Sequence, residues 1–323
     1  MAKPKVFVTR RWDAEVEARL KDAFATTLND DDRPLGPDQL KDLFRGYDAV
    51  LPTVTDRITA DVLAAQPLRT RIIGSYGVGF NHIDVARAKD LGIVVTNTPD
   101  VLTDCTADLA IGLMLAVARR MGEGERQVRA GAWTGWRPTH MRGTKVTGKT
   151  LGIVGLGRIG RAVARRAHHG FGMTILYHDT GPVAAEVERE LGATYCAALD
   201  DLLARADFVS LHCPATPETR HLMNAERIGR MRGDAILINT ARGDVIDEAA
   251  LADALGRGAI AGAGLDVYEA EPKVPATLLA LENVVLMPHL GSATRETRRA
   301  MGLRVIDNVS AFFAGRPPPD RVA

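Results

Sequence analysis

The stretch TLGIVGLGRIGRAVARRA, residues 150–167, decides the fold. Its apolar run Leu151–Gly155 leads into a glycine-rich G-x-G-x-x-G turn and then into a helical sequence. This order is typical of a βαβ unit that binds a dinucleotide. We expect the free N–H groups and partial positive charge of the first helical turn to bind the pyrophosphate. The glycines are Gly155, Gly157 and Gly160, and Arg158 and Ile159 lie between them as further candidate cofactor ligands.

Asp179 ends the next strand candidate and lies 19 positions after Gly160. A carboxylate about 20 positions after the last glycine accepts hydrogen bonds from the ribose hydroxyls of NAD. The same charge repels the 2′-phosphate of NADP, so the sequence favours NAD, as NADH in reduction, over NADP. The alternative interpretation is that Asp179 is a solvated residue at the end of a strand.

Strand candidates alternate with helical patterns on both sides of this motif, which predicts an α/β protein with parallel sheets. At 323 residues the chain is longer than one hydrophobic core usually supports, so we expect two domains. The strand candidates are Lys5–Thr9, Asp48–Val54, Arg71–Gly77, Ile93–Thr98, Leu151–Gly155, Met173–His178, Phe208–His212, Ala235–Asn239, Ala261–Asp266 and Asn283–Met287. The helical candidates include Asp13–Ala25, Gly36–Phe44 and Asp84–Leu91, and two longer ones, Thr103–Val128 and Ser292–Ala314.

Composition disfavours several classes of protein. With 41 basic and 40 acidic residues the net charge is +1, which is not the charge pattern of a nucleic-acid binder. The sequence contains no apolar run of about 18 residues, so it predicts no membrane span. The first residues lack the apolar core of a signal peptide. The three cysteines, Cys105, Cys196 and Cys213, are far apart and suit a reducing compartment better than a disulfide framework or a zinc site. We expect a cytoplasmic protein without a metal.

Three residues with chemically useful side chains follow three strand candidates in the second half of the chain. They are Arg242, Glu271 and His289. Ligands of open α/β sheets bind at the carboxyl ends of the strands. A guanidinium can bind a carboxylate bidentately, and a histidine beside a carboxylate is an acid–base pair because the negative partner favours the imidazolium. Taken singly, an arginine after a strand is more often a surface residue, and a histidine in this place is as often a structural residue as a catalytic one.

With these motifs the sequence resembles the D-isomer-specific 2-hydroxyacid dehydrogenase family, and within it the glyoxylate and hydroxypyruvate reductases. The resemblance covers nearly the whole chain and rests on motifs in the order of the family. These are GSYGVGFNHIDV, NTPDVLTDCTADLAIGLMLA, GLGRIG, INTARGDVIDE, GLDVYEAEP and MPHLGSAT.

The resemblance implies two doubly wound parallel-sheet domains, with a Rossmann NAD-binding domain inserted in a flavodoxin-like substrate domain. Residues 1–100 and 290–323 would form the substrate domain, and residues 101–289 the Rossmann domain. Long crossing helices would lie near 101–121 and 292–313, with the active site in the cleft.

It also implies roles for individual residues. Arg242 would hold the substrate carboxylate and keto oxygen, and His289 would transfer the proton with Glu271 as its partner. The backbone N–H groups of Val78 and Gly79 would bind the substrate carboxylate. The remaining expected cofactor contacts are Asp266 to the carboxamide, Thr240 and Ala241 along the nicotinamide, Cys213, Pro214 and Thr219 near the adenine, Thr106 near the ribose or phosphates, and Gly291.

Two comparisons with relatives are informative, and the second bears on the substrate. Family members often carry Lys-Pro where this chain has Arg232 and Gly233, a change that touches no proposed catalytic group. Formate dehydrogenases of the superfamily carry glutamine in place of Glu271, so formate is disfavoured. The open alternatives are a dehydrogenase for D-lactate, phosphoglycerate or phosphite, and a non-enzymatic NAD-sensing interaction protein.

Two tryptophans lie in the loop GAWTGWRPTHMRG, residues 131–143. Indoles are costly to expose, so we expect Trp133 and Trp136 to pack against something. One interpretation is packing within the same subunit. The other follows the resemblance, since relatives are mostly dimers: in a homodimer Trp136 would reach the partner's substrate pocket and favour small keto acids.

Overall fold

The computed structural model describes residues 2–323 and groups them into two units with separate sheets. One unit consists of the residues up to Leu102 together with Ser292–Ala323, and the other is Thr103–Gly291. Both boundaries lie two residues further along the chain than those expected after residues 100 and 289.

The first unit is built on a five-stranded parallel sheet. Its strands are β1 (Lys5–Val8), β2 (Ala25–Leu28), β3 (Ala49–Leu51), β4 (Ile72–Gly74) and β5 (Val94–Thr96). They are arranged in the order β2-β1-β3-β4-β5, which is the flavodoxin-like order. The helices of its first segment are α1 (Ala14–Ala23), α2 (Pro37–Gly46), α3 (Ala60–Leu63) and α4 (Val85–Asp90).

The second unit has a seven-stranded parallel sheet. Its strands are β6 (Thr150–Val154), β7 (Thr174–His178), β8 (Ala193–Tyr195), β9 (Phe208–Leu211), β10 (Ile236–Asn239), β11 (Gly262–Leu265) and β12 (Val284–Leu286). In the order β12-β11-β10-β9-β6-β7-β8 the direction of winding reverses between β6 and β9. This is the Rossmann arrangement, in which ligands bind at the carboxyl ends of the strands beside the reversal. The predicted fold class is confirmed.

Helices cover both faces of this second sheet. They are α5 (Thr103–Ala118), α6 (Met121–Arg129), α7 (Arg158–Phe171), α8 (Ala185–Leu191), α9 (Leu199–Arg205), α10 (Ala225–Arg230), α11 (Glu248–Gly256) and α12 (Ala276–Leu279), with a 3₁₀ turn at Gly243–Val245. The chain then returns to the first unit as α13 (Arg295–Phe313). None of the helices in residues 2–323 is long and apolar enough to cross a membrane.

The side chains of β6 point alternately to the two faces of the sheet, so they belong to two apolar clusters, one on each face. Leu151 and Ile153 belong to the apolar cluster that includes α5 and α7 side chains. Val154 belongs to the cluster on the other face, together with Leu202 and Leu251 of α9 and α11. This double covering explains why the strands read as continuous apolar runs.

The prediction of one long helix over Thr103–Val128 is wrong, because the helix that begins at Thr103 ends at Ala118. Arg120 adopts a left-handed conformation with φ of 53°, and α6 begins at the next residue. The loop that follows α6 returns to this break, where the N–H of Thr144 donates to the carbonyl of Ala118 at 2.7 Å. The last helix begins three residues later than expected, since Thr294 caps it by accepting from the N–H of Thr297.

Candidate active site

The glycine-rich turn after β6 has the shape that a dinucleotide requires. Gly155 has φ of +93°, and a Cβ there would lie 2.7 Å from the backbone nitrogen of Cys213. A Cβ on Gly160 would lie 2.2 Å from the carbonyl oxygen of Gly155, so helix and turn are in backbone contact. Nothing lies within 4 Å of where a Cβ of Gly157 would be, so this side of the turn is open at the N-terminus of α7. These residues fit a bound pyrophosphate.

Asp179 stands at the end of β7 and is linked directly to this turn. Its Oδ2 accepts from the N–H of Leu156 at 2.8 Å, and its Oδ1 accepts from the N–H of Thr180 at 2.8 Å. The carboxylate is half-buried and keeps unused lone pairs that ribose hydroxyls could donate to. The structure therefore places Asp179 beside the glycines, where the sequence predicts it.

The segment after β9 lies against the same turn. The thiol of Cys213 is buried, and burial raises its pKa to about 11, so it is a packing group and not a nucleophile at neutral pH. Thr219 closes the loop by donating from Oγ1 to the carbonyl of Pro214 at 2.6 Å. The three expected adenine-side residues thus belong to one ordered loop beside the glycine-rich turn.

The turn after β10 carries Arg242. Asn239 shapes it with both ends of its amide: Oδ1 accepts from the N–H of Ala241 at 3.0 Å, and Nδ2 donates to the carbonyl of Arg242 at 2.9 Å. Thr240 is 6% exposed, and its buried Oγ1 has no hydrogen-bond partner in residues 2–323. A buried hydroxyl without a partner is costly, and a bound polar group would satisfy it.

Arg242 is in a partly desolvated environment. Burial lowers the pKa of its guanidinium, while the negative charges of Glu271 and Asp244 oppose that effect. Its Nη1 donates to the carbonyl of Ala241 at 2.6 Å, which directs part of the fork along its own turn. A guanidinium remains charged even here, so Arg242 offers a cation with little competing water.

His289 and Glu271 form the acid–base pair that the sequence predicts. Nδ1 of His289 lies 2.8 Å from Oε2 of Glu271, and the two side chains are 30% and 32% exposed. The other carboxylate oxygen, Oε1, accepts from the N–H of Tyr268 at 3.0 Å. Burial would raise the pKa of Glu271, but the hydrogen bond and charge of His289 outweigh it and lower that pKa below its usual value. The carboxylate is therefore ionised at neutral pH and holds the proton on Nδ1, which leaves Nε2 to act on a substrate.

Asp266 has a role that the sequence does not reveal. It is fully buried at the end of β11, and its oxygens accept from the N–H groups of Leu290 and Gly291 at 2.6 and 2.8 Å. Its own carbonyl accepts from the N–H of His289 at 2.9 Å. Burial raises the pKa of this carboxyl, while the two N–H groups and the charge of His289 oppose it.

These bonds explain the backbone of the histidine. His289 has φ of 55°, a left-handed conformation that is unfavourable for a residue with a side chain and needs support from its surroundings. Thr106 adds a further contact by donating from Oγ1 to the carbonyl of Gly291 at 3.0 Å. Sequence gives no signal for this support, because it depends on which N–H groups meet Asp266.

Val78 and Gly79 lie in the first unit, in the loop after β4. The carbonyl of Val78 accepts from Nδ2 of Asn97 at 2.8 Å, which anchors the loop to the end of β5. The N–H groups of Val78 and Gly79 donate to no other group in residues 2–323. They are thus available to a bound anion.

The two loop tryptophans are exposed, Trp133 at 54% and Trp136 at 81%. The interpretation that they pack within the same subunit is therefore wrong for this chain. The preceding helix α6 buries none of its residues and exposes Met121 and Val128 as well. Large apolar side chains are thus exposed both on α6 and in the loop that follows it.

The chain is similar to a known protein family, and to individual relatives along nearly its whole length. Residues 111–291 match the sequence profile of the D-isomer specific 2-hydroxyacid dehydrogenase, NAD binding domain. The chain is 48% identical over 322 residues to a glyoxylate reductase of Korarchaeum cryptofilum, a match that covers 99% of this chain and 96% of the relative.

Solved structures give the same picture. A Polaromonas structure described as a D-isomer specific 2-hydroxyacid dehydrogenase superposes with a TM-score of 0.92 at 39% identity, covering 99% of this chain and 100% of that one. An NADPH-dependent glyoxylate/hydroxypyruvate reductase of Sinorhizobium meliloti, solved with NADP and malonate, superposes with a TM-score of 0.89 at 37% identity. That match covers 100% of this chain and 97% of the other.

Proposed function

The chain belongs to the D-isomer specific 2-hydroxyacid dehydrogenase family, and from that premise we propose that it reduces glyoxylate or hydroxypyruvate with NADH. It is an NAD(P)-dependent oxidoreductase, and its relatives support 2-keto acid reduction as the reaction class. The observation that carries the proposal is the pairing of His289 with ionised Glu271, with Arg242 borne on the neighbouring loop.

The proposed chemistry divides between the cofactor and three side chains. The reduced nicotinamide supplies the hydride that the keto carbon needs. Arg242 binds the substrate carboxylate and keto oxygen and stabilises the negative charge that develops on that oxygen. His289 donates a proton from Nε2 to the same oxygen, and Glu271 stabilises the imidazolium before transfer and holds the ring in place. Oxidation of the D-2-hydroxy acid uses neutral His289 as the base.

The cofactor is proposed to lie along the turn and loops described above. The N–H groups at Gly157, Arg158 and Ile159 would bind the pyrophosphate, with the loop of Cys213, Pro214 and Thr219 beside the adenine. Thr240, Ala241, Asp266, Gly291 and Thr106 would surround the nicotinamide half. The unpartnered hydroxyl of Thr240 supports that placement.

We propose NADH as the preferred form because of Asp179. Its carboxylate stands beside the glycine-rich turn, where a 2′-phosphate would meet a negative charge. The Sinorhizobium relative is described as NADPH-dependent, so both cofactors are compared in the test of this proposal.

The substrate end of the proposal rests on two further features. The free N–H groups of Val78 and Gly79 suit a carboxylate, and the exposed Trp136 suits a homodimer in which it narrows the partner's pocket. A homodimer and a cytoplasmic location are predictions of the same kind.

A steady-state panel tests the proposed function. Reduction is assayed with NADH and with NADPH for five 2-keto acids: glyoxylate, hydroxypyruvate, pyruvate, oxaloacetate and phosphohydroxypyruvate. In the other direction, D-lactate and phosphite are tested as hydride donors to NAD. We expect the highest kcat/KM with glyoxylate or hydroxypyruvate and NADH. A higher value with another substrate would assign the chain to that dehydrogenase, and NADH binding without turnover of any substrate would favour an NAD-sensing interaction protein.

A further inference from the structure

Three loops at the carboxyl ends of β9, β10 and β11 are joined by contacts that the proposed chemistry does not use. They are residues 212–224, 240–247 and 266–275. Arg242 lies in the second loop and Glu271 in the third. Whatever holds these two loops together therefore sets the separation between the substrate-binding arginine and the partner of the acid–base histidine.

Two glutamates exchange hydrogen bonds across the junction. The N–H of Glu269 donates to Oε1 of Glu248 at 2.9 Å, and the N–H of Glu248 donates to Oε1 of Glu269 at 3.2 Å. Glu248 is only 8% exposed. Hydrogen bonds to ionised acceptors are among the strong ones, and an N–H left unpaired in this place would be costly.

The loops also touch at the backbone beside Arg242. A Cβ on Gly243 would lie 1.9 Å from the carbonyl carbon of Tyr268 and 2.2 Å from the nitrogen of Glu269. The peptides therefore pack against each other with no room for a side chain. Because Gly243 follows Arg242 directly, a shift of the Glu269 backbone is transmitted to the arginine.

His221 packs against both of the other loops. Its N–H donates to the carbonyl of Asp244 at 2.7 Å, and its buried Nε2 lies 3.1 Å from Oε1 of Glu269 without the alignment of a hydrogen bond, so that this contact is an ion pair when the imidazole is protonated. The residue adopts a left-handed backbone with φ of 47°. Such a conformation persists only where neighbouring contacts hold it.

The surroundings of Glu248 make the ionised form of its carboxyl group less favourable. Burial raises the pKa of Glu248, the charges of Glu269, Asp244 and Glu271 raise it further, and only the N–H of Glu269 opposes them. Glu248 thus lies close to three other acids and is joined to the third loop by the N–H of Glu269.

We propose that Glu248, Glu269 and His221 are positioning residues, here called the loop latch, that hold Arg242 and Glu271 at their working separation. The inference rests on the proposed function, since it concerns the reduction of a 2-keto acid. It assigns no contact with substrate or cofactor to the latch. Its effect is transmitted through the backbone at Gly243 and Tyr268.

The test compares Glu248→Ala with Glu248→Gln in the full-length enzyme. Glu248→Ala removes the acceptor for the N–H of Glu269, and we expect kcat/KM for glyoxylate to fall by about 10- to 100-fold, because small displacements of catalytic groups are costly. The loss is shared between a higher KM, through Arg242, and a lower kcat, through Glu271, while NADH affinity stays unchanged. Glu248→Gln keeps an acceptor oxygen and should restore activity to within about threefold of wild type.

Asp247→Ala is the matched control. Asp247 is the adjacent residue and caps α11 by accepting from the N–H of Ala250 at 3.0 Å, but it makes no bond to Glu269. It should lower the melting temperature without changing KM or kcat of the folded enzyme. If Asp247→Ala and Glu248→Ala reduce activity equally, the latch has only a structural role and the inference fails.

A double-mutant cycle gives the second criterion. If Glu248 and Glu269 act as one unit, the double alanine variant loses no more activity than either single variant. Additive losses would overturn the inference. A wild-type enzyme that reduces no 2-keto acid would overturn the proposed function itself, whereas an active wild type with an equally active Glu248→Ala variant would overturn only the latch.

Discussion

A carboxylate at position 271 does two things that an amide could not do together. It accepts from Nδ1 of His289 and from the N–H of Tyr268, and it carries a full negative charge, since His289 lowers its pKa despite burial. An amide would lose the negative charge and, with a single acceptor oxygen, could not accept both bonds at two separate atoms. In the proposed mechanism this residue therefore holds the ring of His289 in place and supplies the negative charge beside it.

His289→Ala tests that role. We expect kcat for glyoxylate reduction to fall by about 10²- to 10⁴-fold, the usual contribution of a general acid. NADH binding, measured by fluorescence titration, should remain close to wild type because the glycine-rich turn is untouched. His169→Ala, at an exposed position on α7, is the matched control and should leave turnover unchanged. Wild-type turnover in His289→Ala would remove the histidine from the mechanism.

We also expect cofactor choice to depend on a single residue, Asp179. The double variant Asp179→Ser with Thr180→Arg removes the charge beside the turn, keeps an oxygen that can accept from the N–H of Leu156, and adds a cation. We expect the ratio of kcat/KM for NADH to that for NADPH to fall by about 10- to 100-fold, the value of one or two charge-assisted hydrogen bonds. Steady-state kinetics with both cofactors measures it. An unchanged ratio would show that Asp179 does not select the cofactor.

At the level of secondary structure, the sequence predicts every central strand but misses two of the four edge strands. Leu151–Gly155 and Phe208–His212 are long apolar runs because β6 and β9 are covered on both faces, and such runs are easy to recognise. The strands β2 and β8 are missing from the prediction. Each lies at the edge of its sheet and is short, and β2 is partly exposed, so neither gives a strong pattern.

The residues of the candidate site also fall into those that the sequence predicts and those that it does not. Arg242, Glu271 and His289 can be predicted because each follows a recognisable strand. The support given by Asp266 and the loop latch cannot, because both depend on backbone N–H groups whose direction is set only by the folded turns. Sequence identifies the groups with distinctive side-chain chemistry, and the structure adds those that act on the backbone.

The break between α5 and α6 carries a prediction at this scale. Arg120 has φ of 53°, a conformation that costs roughly 1–2 kcal/mol for a residue with a Cβ and more for a β-branched one. Because Arg120 already bears the cost of a Cβ, Arg120→Val should lower the free energy of unfolding only by the further cost of β-branching, about 1 kcal/mol. Arg120→Gly should be nearly neutral, because the relief of strain is offset by the greater backbone freedom of glycine in the unfolded chain. Arg120→Gly loses the same ion pair with Glu123 as Arg120→Val and therefore controls for it, while Arg119→Val, one residue earlier and also exposed, controls for a valine and a lost charge at the end of α5. Urea unfolding measures the difference, and equal effects at both positions would contradict the strained conformation.

At the level of the molecule as a whole, a histidine at the end of a strand in the second unit affects the stability of the fold. His212 follows β9, and its N–H donates to the carbonyl of Val154 in β6 at 2.8 Å, beside the point where the winding reverses. Its Nε2 lies 2.8 Å from Oγ of the buried Ser210. Burial lowers the pKa of His212 from 6.5 to about 4, so the folded protein keeps this imidazole neutral where the unfolded chain would protonate it.

This difference predicts that stability falls with acidification. Between pH 6.5 and about 4 the unfolded chain binds a proton at His212 that the folded protein does not bind. The contribution is therefore fully present above pH 6.5 and is lost as the pH falls to about 4. It amounts to at most about 3 kcal/mol. His212→Gln keeps a polar group near Ser210 but cannot titrate, so its melting temperature should decline less steeply over this range than that of wild type. His169→Gln is the control, and the scans omit NADH because a ligand stabilises the folded state. Identical slopes in wild type and His212→Gln would show that acid sensitivity arises elsewhere in the molecule.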